Sequence, residues 1–187
     1  IRPFKLKRSG ITHSVIAAAV ASIKECEEYP EETYRINVSG TLELAKQLSD
    51  EGIKVIAFSS DYVFDGKEGN YDESAQVNPL NEYGRQKAEV EARLPVVCEG
   101  NHLILRLSKV FDLEIWSRTL IVEIADKLRR GSKILAARDQ IFCPTYVGDI
   151  ANVAGLLNKS DAVGLIHVCS PERVSRLTLA KRVAEVM

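Results

Sequence analysis

The sequence predicts an α/β fold: a doubly wound parallel sheet with a second, smaller lobe. Three observations carry that expectation. Short apolar runs recur along the chain, as strands covered on both faces require. Segments with helical apolar spacing separate them. The helical content rises after about Phe111, which marks the second lobe.

Each element has its own signal. Residues 14–19 read as the first strand, buried through Val15, Ile16 and the three alanines Ala17, Ala18 and Ala19. Pro30, followed by Glu31 and Glu32, opens a helix, because proline suits a first turn and acids suit its positive end. Val38, Leu42, Ala45 and Leu48 continue that helix at the right spacing, and Gly52 stops it. Residues 54–58 read as a buried strand. An Asp-, Gly- and Asn-rich loop spans 65–78. Pro79 opens a helix to about Leu94, and 102–107 is the next strand. A helix over 115–130 ends at Gly131, and a short strand follows near 133–136. A helix over 147–157, a strand over 165–169 and a helix over 177–186 complete the chain.

The bulk numbers narrow the function. With 187 residues the chain holds one domain, or one domain and a small appendage, and it can form a core without staples. A net charge of -1 gives no basic field for nucleic acid or anionic membrane. Cys26, Cys98, Cys143 and Cys169 form no C-x-x-C pair and match no zinc spacing, so buried reduced thiols of a cytoplasmic protein are expected. No apolar stretch reaches the ~20 residues of a membrane span. Arg2, Lys5, Lys7 and Arg8 before the apolar run from Val15 to Ile23 imitate a secretory signal, but Thr12, His13 and Ser14 interrupt it. His13, His102 and His167 are scattered, so no metal site is expected. Glu25-Cys26-Glu27-Glu28 reads as a solvated helix face. Arg129, Arg130 and Lys133 suit a helix C-terminus.

The chemistry starts at Tyr83-Gly84-Arg85-Gln86-Lys87. Positions four apart share a helix face. An ammonium beside a phenol favours phenolate, lowering the Tyr pKa from ~10 towards neutrality. Such a group can exchange a proton with a carbonyl or hydroxyl. Phe58-Ser59-Ser60-Asp61-Tyr62-Val63-Phe64-Asp65-Gly66 follows the end of a buried strand, where open α/β sheets bind ligands. Its hydroxyls can hold a substrate oxygen against the Tyr.

These two stretches, with Asn78-Pro79-Leu80-Asn81-Glu82 between them, resemble the extended short-chain dehydrogenases/reductases, and within them the dTDP-4-dehydrorhamnose reductase branch. Other stretches fit in the same order: Val15-Ile16-Ala17-Ala18-Ala19, Asn37-Val38-Ser39-Gly40-Thr41, Leu105-Arg106-Leu107-Ser108, Asp139-Gln140, and Pro144-Thr145-Tyr146-Val147-Gly148-Asp149-Ile150-Ala151. The resemblance implies a Rossmann-like cofactor domain over 1–110, lacking its first strand–helix unit. It implies a substrate-lobe segment over 111–142, a return to the cofactor domain over 143–170, and a last lobe segment over 171–187.

The resemblance also implies roles. Ser60 aligns with the catalytic hydroxyl, Tyr83 with the proton donor and Lys87 with the lysine that binds the nicotinamide ribose. Asn37 aligns with a helix Asn that supports a proton-relay water. Ala17, Ala18, Ala19, Ser59, Tyr83 and Lys87 would line NADP or NAD. Ser60, Asp61, Tyr62, Lys109 and Gln140 would face a nucleotide-linked 4-keto sugar, reduced by hydride from the nicotinamide. A homodimer is compatible with the branch. Three departures stand out. No G-x-G-x-x-G occurs, so NAD and NADP are not distinguished. Lys109 replaces a substrate-facing Trp of the branch, and Asp112 replaces a usual Gly, with Trp116 soon after. Dehydratases of this group carry Asp-Glu where Asp61-Tyr62 stands, and epimerases carry small residues there. An epimerase on the same scaffold, and a non-catalytic subunit like the regulatory subunit of methionine adenosyltransferase, are the alternatives.

Overall fold

The computed structural model describes residues 10–114, 116–117 and 119–187. Arg2, Lys5, Lys7 and Arg8, and the expected helix start at Ile115, lie outside them. The chain divides into two compact units, residues 1–106 with 160–167, and residues 107–159 with 168–187.

The first unit holds the main sheet, in the order β1-β2-β3-β7. These strands are His13–Ile16 (β1), Lys54–Ser60 (β2), His102–Leu107 (β3) and Gly164–Val168 (β7). β1 runs parallel to β2, with Ile16 opposite Ala57. β2 and β3 are buried almost throughout, which explains the apolar runs at 55–58 and 103–105. β1 is shorter than expected. The chain leaves the sheet after Ile16, so Ala17 and Ala18 are exposed rather than buried, and Val15 is half-exposed.

The helices of this unit are Ile23–Glu28 (α1), Pro30–Tyr34 (α2), Thr41–Asp50 (α3) and Glu82–Val97 (α4). α1 was not expected as a separate helix. Ser22 caps it, its hydroxyl accepting the Glu25 amide at 3.2 Å. The single helix expected after Pro30 is three pieces, because a π-helical turn, Arg35–Gly40, joins α2 to α3. Gly52, at φ +75°, stops α3. α4 begins three residues after Pro79, where the Asn81 side chain accepts the Gly84 amide at 2.8 Å. Val38, Leu42, Ala45 and Leu48 pack with Ile53, Val55, Val90 and Leu94 in the core between α3, α4 and the sheet.

The 65–78 loop closes on itself. Phe64 stacks on Tyr71, and the Asp65 carboxylate accepts from the Tyr71 hydroxyl at 2.6 Å and the Asn78 amide at 3.0 Å. The Tyr71 hydrogen bond is the main reason the Asp65 carboxyl is held down at about 2.

The second unit contains Val110–Phe111 (β4), Leu120–Arg129 (α5), Ile141–Phe142 (β5), Thr145–Tyr146 (β6), Val147–Leu157 (α6), Val174–Ser175 (β8) and Arg176–Glu185 (α7). β4 pairs with β6, and β5 with β8. The β4–β6 pairing ties residues 145–146 to residues 110–111. No strand forms near 133–136. Ile134 and Ala136 instead pack on the core of Leu120, Ile124, Phe142, Leu179 and Val183. Of the four cysteines, Cys26 and Cys98 are buried as expected. Cys143 is half-buried, and Cys169 is exposed because it follows the end of β7. Among the described residues, no helix is long and apolar enough to cross a membrane, and no His/Cys/Asp/Glu group could hold a metal.

Candidate active site

The carboxyl end of β2 and the first turns of α4 meet in the first unit. β2 delivers Ser59 and Ser60, both buried, and the chain then turns through a 3-10 segment, Asp61–Val63. The Ser60 hydroxyl starts that turn by accepting the Tyr62 amide at 3.3 Å. It also donates to Asp61 Oδ1 at 3.2 Å.

Gly84 lets α4 approach this turn. A Cβ at that position would lie 2.1 Å from the Tyr62 carbonyl oxygen and 3.0 Å from the Pro79 side chain. Backbone cannot yield that much, so glycine is required by close approach. The approach carries Tyr83 and Lys87, one helical turn apart on one face, onto the end of β2. The Tyr83 and Tyr62 rings meet edge to face, with centres 6.1 Å apart. Lys87 Nζ lies 5.8 Å from the Tyr83 ring centre and donates to the Phe58 carbonyl at 2.9 Å. The Ser60 hydroxyl is near enough to the Tyr83 phenol to favour its ionised form. Ser60, Tyr83 and Lys87 therefore converge.

The electrostatics differ from the sequence expectation. Burial pushes the Tyr83 phenol up to about 12, against the lowering effect of the Ser60 hydroxyl. Asp61, Cys26 and Tyr62 add to the rise. Burial likewise brings the Lys87 ammonium down to about 8, opposed by the Glu91 carboxylate. The helical spacing promised a lysine-lowered phenol, but both groups are deep enough that desolvation of their charged forms is the largest cause of both shifts. At neutral pH the site holds a protonated phenol beside a largely protonated amine, and so can donate a proton.

Asn37 is buried in the same unit. It lies on the π-helical turn with its side chain 1% exposed. Its Oδ1 accepts the Val20 amide at 2.7 Å, and its Nδ2 donates to the Val20 carbonyl at 3.0 Å and to Gln86 Oε1 at 2.8 Å. Gln86 Nε2 passes the chain of bonds on to Thr33 Oγ1 at 3.0 Å. Asn37 thus ties the loop after β1 to α4 through Val20 and Gln86. Sequence reasoning missed Gln86 as its partner. Gln86 lies inside the Tyr83-to-Lys87 motif, but its partner is on another element.

The other expected residues are spread over both units. Ala17, Ala18 and Ala19 lie in the loop beyond β1, with Ala19 half-buried. Asp61 and Tyr62 are half-buried in the 3-10 turn. Lys109, in the second unit, is exposed, and its carbonyl accepts the Thr145 amide at 2.9 Å. Gln140, exposed in the same unit, accepts from Arg176 Nη1 at 3.2 Å.

Two features fit a bound cofactor. The Ser59 hydroxyl is buried without a hydrogen-bond partner, which an outside ligand could provide. Lys87 donates to the Phe58 carbonyl, whereas an ammonium carries three donors. Ribose hydroxyls suit both.

The profile of the RmlD substrate binding domain matches residues 6–187. The probable low-salt glycan biosynthesis reductase Agl14 of Haloferax volcanii is 31% identical over 174 residues, covering 91% of this chain and 58% of that protein. Methionine adenosyltransferase 2 subunit beta of Xenopus tropicalis is 32% identical over 167 residues, covering 85% of this chain and 49% of that protein. A crystal structure of dTDP-4-dehydrorhamnose reductase from Bacillus anthracis in complex with NADP superposes with a TM-score of 0.87 at 25% identity, covering 93% of this chain and 61% of that one. The chain therefore spans about half to three-fifths of the length of these relatives.

Proposed function

The chain belongs to the RmlD substrate-binding-domain family, and on that premise we propose that its protein is an NAD(P)-dependent reductase of a nucleotide-linked 4-keto sugar. The observation that carries the proposal is the convergence of Ser60, Tyr83 and Lys87 at the end of a parallel strand. A reduced nicotinamide supplies the hydride for such a reduction. The chain's own residues manage the oxygen and the proton. Ser60 hydrogen-bonds the keto oxygen and holds it against Tyr83. Tyr83, neutral because it is buried, gives its proton as that oxygen gains negative charge. Lys87 binds ribose hydroxyls with the N–H groups not given to Phe58, and its charge steadies the phenolate left behind.

Tyr62 forms a wall beside Tyr83, and Asp61 contacts substrate from the same turn. Lys109 and Gln140 are candidates for substrate contact on family resemblance. The cofactor is NADP or NAD, and the NADP complex of a relative supports the former. The proposed place of action is the cytoplasm, since the four cysteines show no disulfide-framework spacing.

A second function has a specific observation behind it, the 32% identity to a methionine adenosyltransferase subunit. Mixing the full-length protein with reduced nicotinamide and a panel of nucleotide-linked ketosugars separates the two. Cofactor consumption with one of these sugars supports the reductase. Cofactor binding without consumption, joined to a change in methionine adenosyltransferase activity, supports the subunit. Sugar inversion without net consumption identifies an epimerase and ends the reductase proposal.

A further inference from the structure

Next to Lys87 lies a buried ion pair that the proton-transfer scheme leaves unused. Glu91 follows Lys87 by one turn on the same face of α4. Its carboxylate accepts two parallel hydrogen bonds from Arg106 of β3, from Nε at 2.9 Å and from Nη2 at 2.7 Å. The two side chains are 7% and 6% exposed. The same guanidinium lies 4.9 Å from the centre of the Phe64 ring. Its Nη1 donates to Nε2 of His167, on β7, at 3.2 Å. Phe64 also meets the His167 ring edge to face. One cation thus joins α4, β3, β7 and the segment that follows Ser60.

Stability alone is a weak reason for such a pair, because well-packed apolar residues of similar volume often serve a core as well. Its place is more telling. Resting on the role given to Lys87 above, we propose that Glu91 and Arg106 are positioning residues of the same site. They brace the Ser60-to-Phe64 segment against α4 and set the charge that Lys87 faces along its helix.

The titratable and charged groups around Lys87 are Tyr83 and Glu91 on its own helix, Cys26 from α1, Asp61 beside Tyr83 from the 3-10 turn, and Arg106 from β3. Among them Glu91 does most to keep the amine protonated against its burial. Arg106 tempers that effect by holding Glu91. Removing the carboxylate charge lowers the proton affinity of Lys87, and removing the guanidinium raises it. A pair that only held the fold together would not move Lys87 in opposite directions.

The test compares full-length parent, Glu91→Gln, Arg106→Gln and the double variant, each followed by kcat against pH with reduced nicotinamide and ketosugar. The alkaline limb is expected about half a pH unit or more lower in Glu91→Gln and higher by a similar amount in Arg106→Gln. The double variant falls between. Limbs that stay put, or that move the same way in both single variants, overturn the proposal. Arg106→Lys guards against a variant that does not fold. It keeps the charge but loses the two-pronged bond and the flat face on Phe64. Its limb should stay within about 0.3 pH units while kcat drops roughly tenfold. Full kcat in Arg106→Lys refutes the bracing. A parent with no turnover sinks the reductase reading instead. Lys87 is then followed by NMR of labelled lysine, assigned with Lys87→Arg, where the same order supports the pair's role and its absence overturns it.

Discussion

The two units of the chain handle polar groups in opposite ways. In the first, Asn37, Ser59, Ser60, Gln86, Lys87, Glu91 and Arg106 are all buried, and all but the Ser59 hydroxyl have partners within the unit. In the second, Thr145 is the only buried polar residue among the described residues, and Lys109, Asp139 and Gln140 are exposed. Burying polar groups is costly unless each is satisfied. The first unit accepts that cost where geometry must be fixed to fractions of an ångström. The second keeps its polar side chains at the surface, where substitution is cheap. On the proposed function, chemistry falls to the first unit and adaptable substrate contact to the second.

Substitutions should sharpen or break this contrast. The largest stability effect is expected from Glu91→Leu, which strands the Arg106 charge. About 3–5 kcal/mol should be lost in denaturant unfolding of the full-length protein. A loss below 1 kcal/mol would mean the pair is not buried as described. Tyr83→Phe should lower turnover by a factor of ~100 or more with little change in Tm. An active variant would remove Tyr83 from the chemistry. Gly84→Ala should cost roughly 1–3 kcal/mol and reduce turnover too, because α4 must back away from the Tyr62 carbonyl. Unchanged stability would show that the helix does not approach so closely.

The pH dependence has a definite sign. Lys87, brought down to about 8, is charged below that pH and neutral above it. Activity should therefore fall as pH rises through about 8, while Tyr83, at about 12, stays protonated across that range. A flat profile between pH 7 and 9, measured by kcat, would contradict a need for the ammonium. The smallest stability effect belongs to the second unit. Lys109→Ala and Gln140→Ala should alter the sugar KM while changing stability by no more than about 0.5 kcal/mol. Equal losses of stability in both units would break the contrast.

The parts that local pattern controls were legible in the sequence. The strand at His102–Leu107 and the helix at Val147–Leu157 form where their apolar runs and spacing place them. α1 could have been found from Ser22 and Glu25, a cap and an acid three residues apart. The π-helical turn around Asn37 could not, because apolar spacing does not separate it from an ordinary helix turn. The ion pair of Glu91 and Arg106 was hidden for another reason: its members lie on elements whose contact is set by tertiary packing. The same holds for Tyr83. Spacing put it on the face of Lys87 but said nothing of how deeply both would be buried, and burial decides their protonation.

The most direct test follows the hydride itself. Reduced nicotinamide carrying deuterium at the transferable position is mixed with the full-length protein and a nucleotide-linked 4-keto sugar, and the product is examined by mass spectrometry and NMR. One deuterium should appear on the carbon that bore the keto oxygen, at a rate that Tyr83→Phe lowers about 100-fold. Product without deuterium at that carbon, or labelling at the parent rate in Tyr83→Phe, would contradict the assignment of Ser60, Tyr83 and Lys87 as a carbonyl-reducing site.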